Sequence, residues 1–205
     1  ALSAIALADL IAYIFKEISF TENYETTIEA NPGTLDKEKL QTIRTSGINR
    51  ISIGVQSFND DELNLLGRLH SSHDAEQAVY LAKDAGFENI GIDLIYGVPG
   101  QSIESWKKTL EKAVNLKPKH ISAYELTVEK GTLLYEYMAK NPPSSPFFKG
   151  GNSSPLLRGD YGVCFPLWQR GERGDFINSL RVPDEEEIIE MYNYAIDCLE
   201  SEGFV

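Results

Sequence analysis

Strand-like and helix-like patterns alternate along most of this chain, and that alternation constrains the fold more than any other feature. Four short apolar runs rich in β-branched residues are separated by longer stretches with helical periodicity. The predicted strands are residues 26–30, 50–53, 89–95 and 120–126. Helices between successive strands favour βαβ units and a parallel sheet. We therefore predict an α/β barrel or part of one, with its chemistry at the carboxyl ends of the strands.

Helix signals lie between the predicted strands and at both ends of the chain. The predicted helices are residues 1–20, 36–46, 59–66, 72–85, 102–116 and 183–202. Asn59 or Asp60 is expected to cap its helix, because a short polar side chain can accept the free backbone N–H groups there. Gly86 stands where a helix commonly ends in the left-handed conformation.

Composition and charge exclude some classes of function. The 205 residues carry a formal net charge of −12, which argues against nucleic-acid binding because that needs a basic face. The apolar segment 1–20 has no basic leader and contains Asp9, Lys16 and Glu17, so we read it as an amphipathic helix, neither a signal peptide nor a membrane span.

The cysteine content is low. Cys164 and Cys198 are too few and too far apart for a metal motif or a disulfide framework. Reduced thiols are typical of cytoplasmic proteins, and we predict that location.

One segment, residues 141–180, breaks the alternation. It is rich in Pro, Gly and Ser, and the string SPFFKGG at 145–151 is echoed by SPLLRGD at 154–160. Long loops without secondary structure are uncommon inside compact domains. We predict a disordered, repeat-like insertion between a partial barrel at 1–140 and a barrel continuation at 181–205. The alternative is a binding loop with exposed aromatic anchors, which are Phe147, Phe148 and Trp168.

Four polar residues fall within or after the predicted strands, namely Glu29, Gln56, Arg68 and Asp93. Each alone has a structural explanation: a solvated strand end, a surface cation at a helix end, or a buried ion pair. Asp93 is the least ordinary, since a carboxylate in an apolar strand is costly unless it is paired or faces a ligand. Together they suit a ligand with hydroxyls, an amine and a carboxylate, because arginine binds carboxylates bidentately.

The histidines and one glycine-rich turn carry weaker signals. His70, His73 and His120 are not at metal-ligand spacing, and we interpret them as solvated or structural. The turn at residues 97–100 contains two glycines, which would permit close approach of the backbone to a ligand.

Four strings of the sequence, in this order and spacing, resemble one known family. They are IEANPGT at 28–34, SIGVQSFN at 52–59, LGRLH at 66–70 and IDLIYGVPGQ at 92–101. The family is that of the radical S-adenosylmethionine (SAM) proteins that include oxygen-independent coproporphyrinogen III oxidase and the HemW heme chaperones. The resemblance covers residues 1–140 and resumes at 181–205, and the strings at 56–58 and 66–70 are more similar to the chaperone branch.

The resemblance implies a partial, TIM-like radical SAM (β/α)6 barrel, of which about four βα units are present. Glu29, Gln56, Arg68 and Asp93 match residues that contact SAM, with the arginine on the methionine carboxylate. Thr127, after the fourth strand, matches a residue near the adenine. Implied partners are heme or coproporphyrinogen III, with membrane heme acceptors for the complete protein.

The sequence also departs from the family pattern. The family holds a [4Fe–4S] cluster with three cysteines spaced C-x3-C-x2-C, and no such motif is present in the 205 residues. We expect that motif and a glycine-rich segment before residue 1, and a heme-contacting histidine motif after residue 205. We therefore predict neither catalytic residues nor metal ligands here. Three readings stay open: a fragment of a heme chaperone, a fragment of the oxidase, and an inactive truncated product.

Overall fold

A parallel four-stranded sheet forms the centre of the computed structural model, which describes residues 3–132, 134–135 and 181–204. The strands are β1 (Thr27–Ala30), β2 (Arg50–Gln56), β3 (Asn89–Tyr96) and β4 (His120–Glu125). They pair in chain order, β1-β2-β3-β4, and every neighbouring pair is parallel. The α/β fold with a parallel sheet is thus confirmed.

Six α-helices accompany the sheet in the described part of the chain. They are α1 (Ala4–Glu17), α2 (Lys37–Thr45), α3 (Asp60–Leu65), α4 (Ser72–Asp84), α5 (Ile103–Asn115) and α6 (Glu185–Ser201). A short 3-10 turn, Pro32–Thr34, follows β1. None of these helices is both long and apolar enough to cross a membrane.

Local side-chain signals set the helix ends. Asn59 caps α3 by accepting from the backbone N–H groups of Asp61 and Glu62, as the sequence predicts. Ser71 and Asp74 form a reciprocal capping box at the start of α4, and Gly86 (φ +88°) follows its last turn. Such contacts lie within a few residues, which explains why the sequence locates these helices closely.

Strand β2 is longer than predicted, since it continues through Gly54 and Val55 to Gln56. Glycine weakens a strand pattern because it has no side chain to pack. Pairing with β3 extends the strand despite an irregular register between Ile53 and Gln56.

The apolar face of the sheet forms the core with the helices. Ile51, Ile53 and Val55 of β2 alternate with polar residues and a glycine, and they are completely buried. They belong to one cluster with residues of α1, α2, α4, α5 and α6. Burying an aliphatic side chain contributes about 1.5–3 kcal/mol. Because successive strand residues point to opposite faces, the other face of the sheet carries the polar residues.

Helix α6 packs on α5, and the turn after β3 contacts α6 and the segment that precedes it. The indole Nε1 of buried Trp106 donates to the backbone oxygen of Met191 at 2.9 Å. The backbone N–H of Gly100 donates to the oxygen of Arg181 at 2.7 Å. Residues 181–204 therefore continue the same core, whereas the predicted insertion at 141–180 falls outside the described residues.

Candidate functional site

A cleft of about 750 Å³ lies over the polar face of the sheet. That volume is in the range of small-molecule sites. Its lining comes from all four strands and the segment after β4: Thr27, Glu29, Arg50, Ser52, Gln56, Asp93, Ile95, His120, Ser122, Tyr124, Glu125, Leu126 and Thr127. Four of the five predicted site residues are in this set. Arg68 is not among the described residues that line the cleft.

Asp93, in the middle of β3, has a partner on the neighbouring strand. Ser52 of β2 donates its hydroxyl to Asp93 Oδ2 at 2.9 Å, and Ser52 itself is nearly buried. Among the described residues, Asp93 forms no ion pair. The carboxylate is half-buried at the cleft and only partly satisfied, so it can accept further hydrogen bonds from a ligand.

Gln56 ends β2 in an unusual backbone conformation. Its φ of +69° lies in the left-handed region. The residues on either side of Gln56 are hydrogen-bonded to each other, because the Ser57 N–H donates to the Val55 oxygen at 2.9 Å. This three-residue turn is rare and strained. Gly54 leaves room for the amide, because a Cβ added there would lie only 2.7 Å from Gln56 Nε2.

The loop between α3 and α4 is anchored to the same strand end. His70 is buried, and its Nε2 lies 3.1 Å from the Val55 oxygen. Desolvation lowers the pKa of His70; nearby Arg68 lowers this pKa too, while the Val55 hydrogen bond and Asp74 oppose the shift. His70 therefore has a structural role at the turn that carries Gln56.

Arg68 lies on this loop, close to the strand end that Gln56 occupies. Burial lowers the pKa of its guanidinium. Its Nε atom is buried and has no hydrogen-bond partner among the described residues. A buried unsatisfied donor is uncommon and calls for an explanation.

Glu29 and Thr127 lie toward opposite edges of the cleft. Glu29 is the third residue of β1, is exposed, and is in register with Ser52. Thr127 is exposed and lies two residues beyond the end of β4. The cleft is therefore bounded by residues from both edge strands of the described sheet.

Several cleft residues that are not among the five predicted site residues follow from strand periodicity alone. Arg50 and Ser52 share a face with Gln56, since they are the first and third residues of β2 and Gln56 is the seventh. His120 is exposed at the amino end of β4 and also lines the cleft. Reading every second residue of each strand would have found this polar face.

In the glycine turn after β3, Gly97 makes a close packing contact. Gly97 has φ +77°, and a Cβ added there would lie 2.7 Å from Ile188 Cδ1 of α6. The close approach at this position is therefore to helix α6.

The residues present do not fit an iron–sulfur cluster. In the described ranges, no group of three or more His, Cys, Asp or Glu side chains could hold a metal. Cys198 is half-buried on α6, where burial raises the pKa of its thiol. A thiol of raised pKa is a poor metal ligand, because the thiolate is the ligating form.

A parallel sheet with helices packed on one face and a polar cleft on the other is typical of part of a βα barrel. The family model of the radical SAM superfamily matches residues 4–113. This chain therefore belongs to the radical SAM superfamily.

Curated relatives that are similar to the chain are heme chaperones named HemW. The chain is 44% identical over 144 residues to the heme chaperone HemW of Haemophilus influenzae, covering 70% of this chain and 37% of that protein. It is 34% identical over 203 residues to HemW of Lactococcus lactis, covering 99% of this chain and 44% of that protein. The chain thus spans less than half the length of these relatives.

A solved structure supports the fold. Coproporphyrinogen III oxidase (HemN) from Escherichia coli, described as a radical SAM enzyme, matches with a TM-score of 0.68 at 22% identity. The match covers 98% of this chain and 38% of that one. The described sheet therefore has the TIM-like architecture of radical SAM proteins.

Proposed function

We propose that this chain is the SAM-binding part of a HemW-type heme chaperone of the cytoplasm. The observation that carries the proposal is the convergence of Glu29, Gln56, Asp93 and Thr127 on one cleft. Relatives that cover most of the chain are named heme chaperone HemW, which favours this reading over the oxidase.

The donors and acceptors of the cleft fit the groups of SAM. Asp93 and Glu29 offer carboxylates to ribose hydroxyls or to the methionine ammonium group, and Ser52 orients the first of them. Gln56 adds an amide that can both donate and accept. Bound SAM supplies a sulfonium group that can be cleaved by one-electron reduction.

Arg68 is assigned to the methionine carboxylate. Its buried Nε has no partner among the described residues, and its pKa is lowered by desolvation. A carboxylate would satisfy the guanidinium with paired hydrogen bonds. Since His70 ties this loop to Val55, the arginine is held near the end of β2 that carries Gln56.

The direct test is SAM binding by the purified chain, measured by equilibrium dialysis with labelled SAM. Saturable binding that Asp93→Asn weakens supports the proposal. Asp84→Asn is the matched control, because Asp84 is exposed at the end of α4 and does not line the cleft. Equal loss in both variants, or no saturable binding by the unmodified chain, would contradict it.

We expect no [4Fe–4S] cluster on this chain alone. Three cysteine ligands are needed, and the sequence contains only Cys164 and Cys198. After anaerobic reconstitution with iron and sulfide, the iron content should stay far below one cluster per chain. An iron-to-protein ratio near that of a full cluster would show that other ligands assemble.

Heme and porphyrin assays separate the two functional classes for the complete protein. A chaperone should bind heme, followed as a saturable change in the Soret band, and pass it to membrane acceptors. An oxidase should decarboxylate coproporphyrinogen III instead, which product analysis would detect. Heme binding without decarboxylation is the result we expect.

A further inference from the structure

We propose that Glu62 is a positioning residue that fixes the carboxyl ends of β2 and β3 and so holds Gln56 in the cleft. The proposal rests on the SAM-binding function proposed above, because it concerns how one wall of that cleft is built. Glu62 does not line the cleft itself. It acts through Ser57 and Gln101.

Glu62 is a buried carboxylate with three hydrogen-bond donors. It lies on α3 and is only 5% exposed. Its Oε2 accepts from Ser57 Oγ at 2.6 Å and from Gln101 Nε2 at 2.9 Å, and its Oε1 accepts from Ser105 Oγ at 2.6 Å. No described lysine, arginine or histidine forms an ion pair with it. Neutral donors alone therefore stabilise this buried acid, and losing them is costly.

The first arm of this network reaches the end of β2. Ser57 is completely buried and follows Gln56 directly. Its hydroxyl donates to Glu62 and accepts from the Asn59 N–H at 3.0 Å. Ser57 is thereby fixed on the far side of the strained turn at Gln56, whose left-handed backbone persists only when its surroundings hold it.

The second arm reaches the end of β3. Gln101 is 6% exposed, and its Oε1 accepts from the N–H groups of Gly97 at 2.8 Å and Val98 at 3.4 Å. Gly97 is the first residue after β3, the strand that carries Asp93. One carboxylate therefore joins the ends of the two central strands.

The third bond, to Ser105, ties the carboxylate to α5, which belongs to the supporting layer. It stabilises the fold without involving a strand end. If Glu62 only stabilised the fold, replacing it would therefore raise hydrogen exchange evenly over the whole domain. A positioning role predicts effects concentrated at Ser57, Gly97 and Val98, and on the Gln56 contribution to SAM binding.

The first measurement is amide hydrogen exchange on the full chain with Glu62→Gln. The amide keeps the volume of the acid but presents two donors to hydroxyl and amide groups that already donate. We expect exchange to rise about tenfold or more at Ser57, Gly97 and Val98, with smaller changes in α4. Asp61→Asn, on an exposed residue of the same helix, is the control. Equal exchange in Glu62→Gln and the unmodified chain overturns the proposal.

Ser57→Ala is a milder variant that keeps two of the three bonds to Glu62. It should speed exchange at Ser57 and Asn59 and leave Gly97 and Val98 protected. If Glu62→Gln fails to fold, this variant still decides the proposal: protection of Ser57 and Asn59 equal to that of the unmodified chain would overturn it.

The second measurement is a double-mutant cycle on SAM affinity. Glu62→Gln should weaken binding roughly three- to tenfold, and have little further effect once Gln56→Ala is present. In a chain that carries Glu29→Gln, the substitution Glu62→Gln should still weaken SAM binding by its full factor. Full loss in both backgrounds means a general structural effect and overturns the positioning role. If the unmodified chain binds no SAM, the function proposal fails, and hydrogen exchange alone decides on Glu62.

Discussion

The hydroxyl of Ser52 on β2 donates a 2.9 Å hydrogen bond to Asp93 Oδ2 on β3. The two residues are 41 positions apart in the chain and meet because their parallel strands are neighbours on one face of the sheet. The bond orients the carboxylate at the cleft and leaves it able to accept from a ligand. It also explains how an aspartate is accommodated inside an otherwise apolar strand.

Substitutions of this pair should differ in their effect on SAM binding. Asp93→Asn removes a charged acceptor and should cost about 1.5–3 kcal/mol of binding free energy. Ser52→Ala removes only the orienting donor and should cost about 0.5–1.5 kcal/mol. Equilibrium dialysis of each variant measures both values. A larger loss of SAM-binding free energy in Ser52→Ala than in Asp93→Asn would contradict the view that Asp93 binds SAM and Ser52 orients it.

Arg68→Ala should weaken SAM binding by about 2 kcal/mol, as expected for the loss of a charge-assisted pair. Arg44→Ala is a suitable control, because Arg44 is on α2 and is not among the cleft residues. Unchanged affinity in Arg68→Ala, measured in the same assay, would remove Arg68 from the site.

Gly54→Ala should displace the side chain of Gln56. The added Cβ would lie 2.7 Å from Gln56 Nε2, which is too close unless the amide moves away. We expect weaker SAM binding and a small change in the thermal unfolding midpoint, since the colliding group is the flexible end of a side chain. Gly33→Ala is the control, because its Cβ would meet only His70 Cβ at 3.8 Å. Equal SAM affinity in Gly54→Ala and Gly33→Ala would be inconsistent with this account.

Stability should fall on mild acidification because of His70. Its pKa is lowered in the folded state, chiefly by burial, from the ordinary value of 6.5. As the pH falls through that value, the unfolded chain binds a proton before the folded one does, so the free energy of unfolding decreases. Above the ordinary value the contribution is constant.

Urea unfolding at pH 7.5 and pH 5.5 measures this effect. His70→Gln should reduce the difference between the two pH values, because it removes the group whose pKa burial lowers. The same pH difference in His70→Gln and in the unmodified chain would assign the titration to another group.

Trp106→Phe should weaken the attachment of α6. The indole is completely buried and donates to the Met191 oxygen at 2.9 Å, so the substitution leaves that oxygen without its donor and creates a small cavity. We expect a loss of about 1–3 kcal/mol in the free energy of unfolding, measured in urea. Hydrogen exchange should rise mainly in α6. An even rise across all helices would argue against a local attachment.

Much of the fold is encoded locally. Helix ends follow caps such as Asn59 and Ser71, which act over three residues or fewer, and the sequence places the ends of α3 and α4 within one residue of the structure. The sequence predicts the end of β2 three residues too early, because Gly54 interrupts the strand pattern. Pairing with β3 continues the strand to Gln56. The site roles of Glu29, Gln56, Arg68, Asp93 and Thr127 stay predictions, although four of these residues line one cleft.

The sequence by itself determined the alternation of strands and helices, the family, and which polar residues stand near the strand ends. These depend on periodicity and on motifs of a few residues. Only the tertiary structure decided that Ser52 orients Asp93, that Glu62 joins two strand ends through Gln101, and that Trp106 holds α6. Those contacts join residues 41, 39 and 85 positions apart, and only the packed sheet and helices bring them within hydrogen-bonding distance.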